Sequence, residues 1–365
     1  MPFHASPMFP GDLYDTTLRV AADAPVREHF EPHETSHAWQ QFLSLGWQAV
    51  LVAEAHGGAG ASLADVAAIA EAAGRHASAA PLVARCGVVP ALLGRLAERP
   101  AVAALLPALA AGEASVCPVL DEAGAGVPRC AIEGEGLRID GVLRGIDLTE
   151  PASHLVFAAR TEAGEDLLLL AARDALPGHA DTWLGIDARQ TADIALQGVR
   201  LPAEALLARG EAARAATAHG TAVGALIGCA QIVGAMGAMI EQTIEYLSTR
   251  QQFGVALATF QALRHRTVEM YVSYESVRGM VRQRVLALDG GDEDLRAIAL
   301  VKLYLSVTAR QAAEACIQLH GAIGMSRELP ATRLAMHALA CSLAWGDRFA
   351  QLDRLAAGST HTQTH

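Results

Sequence analysis

The sequence predicts a mainly helical protein in which a small β-domain separates an N-terminal helical domain from a C-terminal four-helix bundle. Fourteen of the fifteen prolines lie at or before Pro202, and the next is Pro330. Proline inside a helix costs about 3 kcal/mol, so a gap of that length marks continuous helix. Between residues 114 and 205, short apolar runs are punctuated by Gly, Asp and Pro at strand-like spacing. In residues 1–113 the apolar residues keep helical spacing instead.

The N-terminal domain (1–113) contains WQQFLSLGW at 39–47 and ASLADVAAIAEAAGRH at 61–76. The second places Leu63, Val66, Ala67 and Ala70 on one face and reads Ser62 as its N-cap. Between them lies HGGAG at 56–60, a glycine-rich turn read as a helix connection rather than a phosphate loop. The central domain (114–205), a barrel or sandwich, takes its strands from LRID (137–140), HLVFAAR (154–160), DLLLLAAR (166–173) and ADIALQGVRL (192–201). DLLLLAAR also suits a helix, because an apolar run without alternation does not distinguish the two.

The C-terminal domain (206–357) opens with a helix over about 211–249, on the order of 55–60 Å long. Its middle, AVGALIGCAQIVGAMGAMI, is apolar on nearly every face and so must be buried on every face. Helices near 260–288 and 293–320 follow, separated by the turn DGGDED (289–294), and a last one covers roughly 331–356. Short joints between four long helices make an antiparallel bundle. GSTHTQTH (358–365) is expected to be a disordered tail.

Apolar residues make up 52% of the 365 and charged ones 18%, which supports a folded core. The net charge of −11 and the lack of a basic cluster argue against nucleic acid or an anionic membrane as partner. Six scattered cysteines without a CxxC pair read as reduced, buried thiols. No metal-ligand spacing of His, Cys and Asp is visible. With neither a signal-peptide pattern nor an uninterrupted apolar run of membrane-spanning length, a cytoplasmic location is expected.

The chemistry concentrates at two joints. One is Arg250-Gln251-Gln252-Phe253-Gly254, with Phe260-Gln261 seven residues beyond Phe253; the other is Gln318-Leu319-His320-Gly321-Ala322-Ile323-Gly324. With GWQAVLVAEAHGGAGASLADVAAIAEAAGR (46–75), IDG (139–141) and HLVFAAR, this set resembles the acyl-CoA dehydrogenase family over nearly the whole chain. The resemblance implies FAD, held by Arg250, Gln252, Phe253, Gln261, Gln318, His320, Gly321, Ala322 and Gly324 of a neighbouring subunit. The residue chemistry agrees. Arg250 offers a planar multi-donor charge to a diphosphate, and Gly321 and Gly324 admit close backbone approach. Singly, each has another reading: Arg250 as a charge at a helix C-terminus, Phe253 as a plug between helices.

The resemblance also implies α,β-dehydrogenation of an acyl-CoA thioester. A carboxylate takes the α-proton, FAD takes hydride, and an electron-transferring flavoprotein takes the electrons. The usual base is a glutamate followed by glycine, about two dozen residues past Gly321; here Trp345 and Gly346 stand there. A second family position falls at Gly224-Ala225, which has no carboxylate either. The nearest acid to the first slot is Asp347. VLDEAGAG (119–126) lacks the family's threonine, and GVLRGIDLT (141–149) lacks its tryptophan.

The ending WGDRFAQLDRLAA (345–357) resembles the family's short small-subunit branch, including the pimeloyl-CoA dehydrogenase small subunit and heteromeric dehydrogenases. Two readings follow. Either Asp347 is the base, its pKa raised by burial against Trp345 and Leu343, or the chain is a silent subunit completing a partner's flavin site. A homotetramer or a heteromer fits accordingly. A flavin-dependent oxidase or monooxygenase on the same fold, and a scaffold without catalysis, are the further alternatives.

Overall fold

A computed structural model describes residues 3–23, 32–120, 126–134, 136–178, 181–187 and 189–359. Its helices are α1 (Asp12–Asp23), α2 (Pro32–Ser44), α3 (Leu63–Gly74), α4 (Val89–Gly94), α5 (Pro100–Ala110), α6 (Glu211–Thr249), α7 (Gln261–Asp289), α8 (Leu295–His320), α9 (Pro330–Leu343) and α10 (Arg348–Ser359). The contacts group the chain into two compact units, one of residues 1–34, 63–79 and 225–365, the other of residues 35–62 and 80–224. This partition cuts across the three sequential domains expected from composition.

The second unit holds the sheet. Its strands are β1 (Val116–Val119), β2 (Arg129–Glu133), β3 (Gly136–Asp147), β4 (His154–Arg160), β5 (Asp166–Ala172), β6 (Asp181–Leu184), β7 (Gln190–Pro202) and β8 (Leu206–Arg209). They run in the order β6-β7-β3-β2-β4-β5-β8, with β1 paired to β4. DLLLLAAR is therefore a strand, antiparallel to β4 with Phe157 opposite Leu169. Leu155, Val156 and Phe157 are all buried, as are Leu167, Leu168 and Leu169, so both strands are covered on both faces and lose alternation.

In β3 the buried positions step from Leu137 and Ile139 to Leu143 and Ile146 across two register shifts. Arg85 is buried in the same unit. It donates to Ser115 Oγ at 2.6 Å and to the Pro151 carbonyl at 2.9 Å, over the face of Trp39. The HGGAG turn folds back on itself. The N–H groups of Gly57, Gly58, Ala59 and Gly60 donate to the carbonyls of Glu54, Ala53, Ala49 and Val52, which leaves none of them for a phosphate.

The first unit is helical. The apolar middle of α6 has the length and hydropathy to cross a membrane, yet that window is fully buried within the protein. Two glycines allow this. A Cβ on Gly234 of α6 would lie 1.9 Å from the Glu71 carbonyl of α3, and one on Gly74 of α3 would lie 2.0 Å from the Gln231 carbonyl of α6. The two helix backbones touch at reciprocal glycines. Helix α3 is capped from α7, whose Asp289 carboxylate accepts from Leu63 N at 2.7 Å and Ala64 N at 3.0 Å. All six cysteines are free and buried.

The expected last helix is interrupted. α9 stops at Leu343, and Trp345 and Gly346 take φ of 60° and 90° before α10 begins at Arg348. Two consecutive left-handed residues cannot continue a helix. α10 extends to Ser359, so positions 358–359 of the expected tail are helical, while 360–365 lie outside the described residues.

Candidate functional site

Helix α6 ends at Thr249, and Arg250 N donates to Tyr246 O at 2.8 Å, closing the last turn. A two-stranded hairpin follows, β9 (Gln251–Gln252) against β10 (Val255–Ala256), before Phe260 leads into α7. Phe253 and Gly254 are its two turn residues, with φ of 53° and 80°. A two-residue hairpin with positive φ at both central positions favours Asn-Gly, because its twist matches the strands. Phenylalanine there is strained, on the order of 1 kcal/mol or more. It is also 90% exposed, with its ring edge-on to Phe260 at 6.2 Å. A strained bulky ring held out in solvent is poor design for a turn and good design for a contact.

The second joint is the end of α8. His320 is buried, and its Nδ1 lies 2.8 Å from the Cys316 carbonyl. A carbonyl only accepts, so the proton sits on Nδ1. The imidazole packs on the Tyr246 ring at 4.7 Å between centroids, and one turn deeper Thr243 Oγ1 donates to Cys316 Sγ at 3.5 Å. Gly321 ends the helix at φ 65°, ψ −142°, a region open essentially to glycine alone. Gly324 is buried, a Cβ there would meet the Ile317 carbonyl at 2.3 Å, and its own carbonyl accepts from Thr332 Oγ1 at 2.8 Å. Burial pushes the Cys316 thiol up to about 11, so it stays protonated.

The two joints thus share one end of the first unit. Helix α7 starts there with Gln261 and runs antiparallel to α8; between them lies a cleft of about 460 Å³ that includes Arg266, Gln311 and Gln318. Among the described residues, the side chains of Arg250, Gln252, Gln261 and Gln318 make no hydrogen bond or ion pair. All four are exposed. A guanidinium and three amides, solvated and free of protein partners beside a strained aromatic, fit a ligand bearing a diphosphate and an aromatic base. The residues expected to hold FAD lie at these two joints, Arg250, Gln252, Phe253 and Gln261 at one and Gln318, His320, Gly321, Ala322 and Gly324 at the other, with Ala322 exposed beside Gly321.

The slot for the base is built differently. Trp345 is 7% exposed, and the Cβ direction of Gly228 on α6 points at its Cδ1, 3.5 Å away. Gln351 Nε2 donates to the carbonyls of Trp345 (3.2 Å) and Gly346 (3.0 Å), and Arg354 adds a bond to Trp345 O at 3.5 Å. Asp347 caps α10: its Oδ1 accepts from Ala350 N at 2.9 Å, and its carbonyl from Gln351 N at 3.0 Å. The apolar wall expected around Asp347 is only half present, since Leu343 is 64% exposed. Ala225 is buried within α6. Of the segment missing the family's threonine, residues 121–125 lie outside the described residues; the segment missing its tryptophan runs through β3. Sequence reasoning missed the capping role of Asp347, although an acid directly after Trp-Gly and before a helical run signals one.

The chain is similar to known proteins over most of its length. The profile described as acyl-CoA dehydrogenase, N-terminal domain, matches residues 13–113, and that described as acyl-CoA dehydrogenase, C-terminal domain, matches 197–360. Acyl-CoA dehydrogenase FadE28 of Mycobacterium tuberculosis is 26% identical over 336 residues, covering 88% of this chain and 91% of the relative. Among solved structures, a variant of the Tcur3481–Tcur3483 steroid ACAD superposes with a TM-score of 0.84 at 25% identity, covering 97% and 98% of the two chains. The ChsE4–ChsE5 complex from Mycobacterium tuberculosis gives 0.82 at 18% identity, covering 98% and 100%.

Proposed function

Because the chain belongs to the acyl-CoA dehydrogenase family, we propose that it is one of two unlike subunits of a heteromeric acyl-CoA dehydrogenase, completing a flavin site whose base comes from the partner. The family makes it an oxidoreductase acting on acyl-CoA thioesters and makes FAD the expected cofactor. Bound FAD would supply the hydride acceptor at the substrate β-carbon.

The chain's own residues hold the cofactor. Arg250 offsets the diphosphate charge, Phe253 presents a ring face, and Gln252, Gln261 and Gln318 provide amides. Gly321, Ala322 and Gly324 keep the backbone beside His320 narrow. The observation that carries this is the outward, unpaired Arg250 side chain beside a strained Phe253 whose ring is exposed apart from an edge-on contact with Phe260. A contact with another subunit gives both a purpose.

The heteromeric reading rests on the base slot. A carboxylate there would take the α-proton while hydrogen bonds to the thioester oxygen stabilise the enolate. This chain puts a buried indole in that place and uses the next carboxylate, Asp347, to cap a helix. Two of the similar structures are described by paired names, Tcur3481–Tcur3483 and ChsE4–ChsE5, and the second is called a complex. A self-sufficient enzyme would use Asp347, the acid nearest that slot. The proposed electron acceptor is an electron-transferring flavoprotein; oxygen uptake without one would mark an oxidase.

The test is to purify the chain alone and with a co-expressed acyl-CoA dehydrogenase homologue. The expected result is stoichiometric flavin, bleached by acyl-CoA, only in the mixed assembly. A chain that bleaches alone, and loses bleaching as Asp347→Asn, would overturn the subunit reading in favour of Asp347 as base.

A further inference from the structure

We propose that residues 3–10 form a strap whose docking on the helical unit is coupled to a proton on the Glu71 carboxyl. The strap lies over α3, α6 and α7, and side chains of these helices hold its backbone. Met8 N donates to Glu71 at 2.8 Å, and Ala5 N donates to Glu241 Oε1 at 2.6 Å. In the other sense, Tyr274 OH donates to Ser6 O (3.4 Å), Arg278 to Pro7 O (3.3 Å) and Arg282 to Met8 O (3.2 Å). Phe3 packs edge-on to Tyr271, Phe9 lies under the Arg282 guanidinium, and Met8 is buried.

Glu71 is the point of coupling because it is 2% exposed and the rest of residues 66–74 are apolar. The groups facing it are Arg75 one turn on, Arg278 and Tyr274 of α7, Tyr14 of α1, and Glu241 of α6, which is itself paired with Arg75 at 2.5 Å. Burial dominates and pushes the Glu71 carboxyl from 4.5 up to about 7, against the Met8 N–H, Arg278 and Arg75, which pull it down. Met8 supplies part of that burial. Lifting the strap breaks the Met8 N–H bond, which favours the carboxylate, but it also admits water, which favours it more because burial is the larger of the two causes, so the pKa returns toward the ordinary value. By linkage, a proton on Glu71 then favours the docked strap. A raised carboxyl pKa gives stability that is complete below 4.5 and lost as pH rises through about 7.

The test is hydrogen exchange of the strap amides in the intact chain, corrected for intrinsic rates, from pH 5 to pH 8. Protection should fall by up to about tenfold per unit until pH 7 and then level off. Glu71→Gln, neutral at every pH, should give a flat, protected profile. A flat wild-type profile, or an unchanged fall in Glu71→Gln, would overturn the proposal. His4 lies 3.9 Å from Glu241, so His4→Ala must keep the fall; losing it would move the proton to His4 and equally overturn the proposal. Should Glu71→Gln not fold, NMR titration of the wild-type Glu71 carboxyl decides. A midpoint coinciding with the loss of protection supports the coupling, and one near the ordinary carboxyl value refutes it.

Discussion

The imidazole of His320 rests on the ring of Tyr246, 4.7 Å between centroids, and this contact joins the two segments that define the site. Arg250 follows Tyr246 by one helical turn and Gly321 follows His320 directly, so a stretch near residue 250 and another near 321 face solvent from the same end of the helices. The ring pair is buried on the His320 side, while the ligand-facing groups beyond it are exposed.

Phe253 separates stability from function. Phe253→Asn places Asn-Gly in a turn with two left-handed residues, the preferred pair for that geometry. The flavin-free chain should melt at the same temperature or slightly higher, a gain of up to about 1 kcal/mol. The assembled protein should lose flavin faster. Lower melting temperature with unchanged flavin retention would assign Phe253 to the fold instead.

Asp347 is a helix cap in this account. Asparagine caps as well as aspartate, so Asp347→Asn should change stability little, whereas Asp347→Ala should cost about 1 kcal/mol. Neither should abolish acyl-CoA bleaching in a mixed assembly. Denaturant melts and a bleaching assay on the same preparations separate the two roles.

Gly234→Ala tests the helix crossing. The added Cβ would sit 1.9 Å from the Glu71 carbonyl, so α3 and α6 must separate. Overpacking of this kind costs about 1–3 kcal/mol, or more where backbone is the obstacle. Gly321→Ala meets no neighbour, but its φ of 65° disfavours a side chain. It should disturb flavin retention more than it lowers the melting temperature.

Much of this was legible in the sequence, for reasons that differ by element. The proline-free stretch and the turn DGGDED gave α6, α7 and α8 to within two residues, because proline is costly in a helix interior and glycines beside aspartates end one. Strand β5 resisted assignment, since coverage on both faces removes the alternation that marks a strand. The break at Trp345–Asp347 was half legible: Gly346-Asp347 ahead of a helical run signals a stop and a cap, but left-handed φ at a tryptophan has no signature in composition. The left-handed Phe253 was hidden, though its neighbour Gly254 hinted at a turn. Glu71 drew no notice in the sequence, because its partners, Met8 and Arg278, are far away along the chain. The compact units were illegible for the same reason: they form from distant segments.

The central claim is that this chain lends Arg250 and its neighbours to a flavin held between subunits. The most direct measurement is the flavin-to-chain ratio of the purified mixed assembly, read from the visible flavin band for wild type and Arg250→Ala. The account predicts stoichiometric flavin in the wild type and its loss in the variant, with the helical fold intact by circular dichroism. Full flavin retention in Arg250→Ala would contradict it.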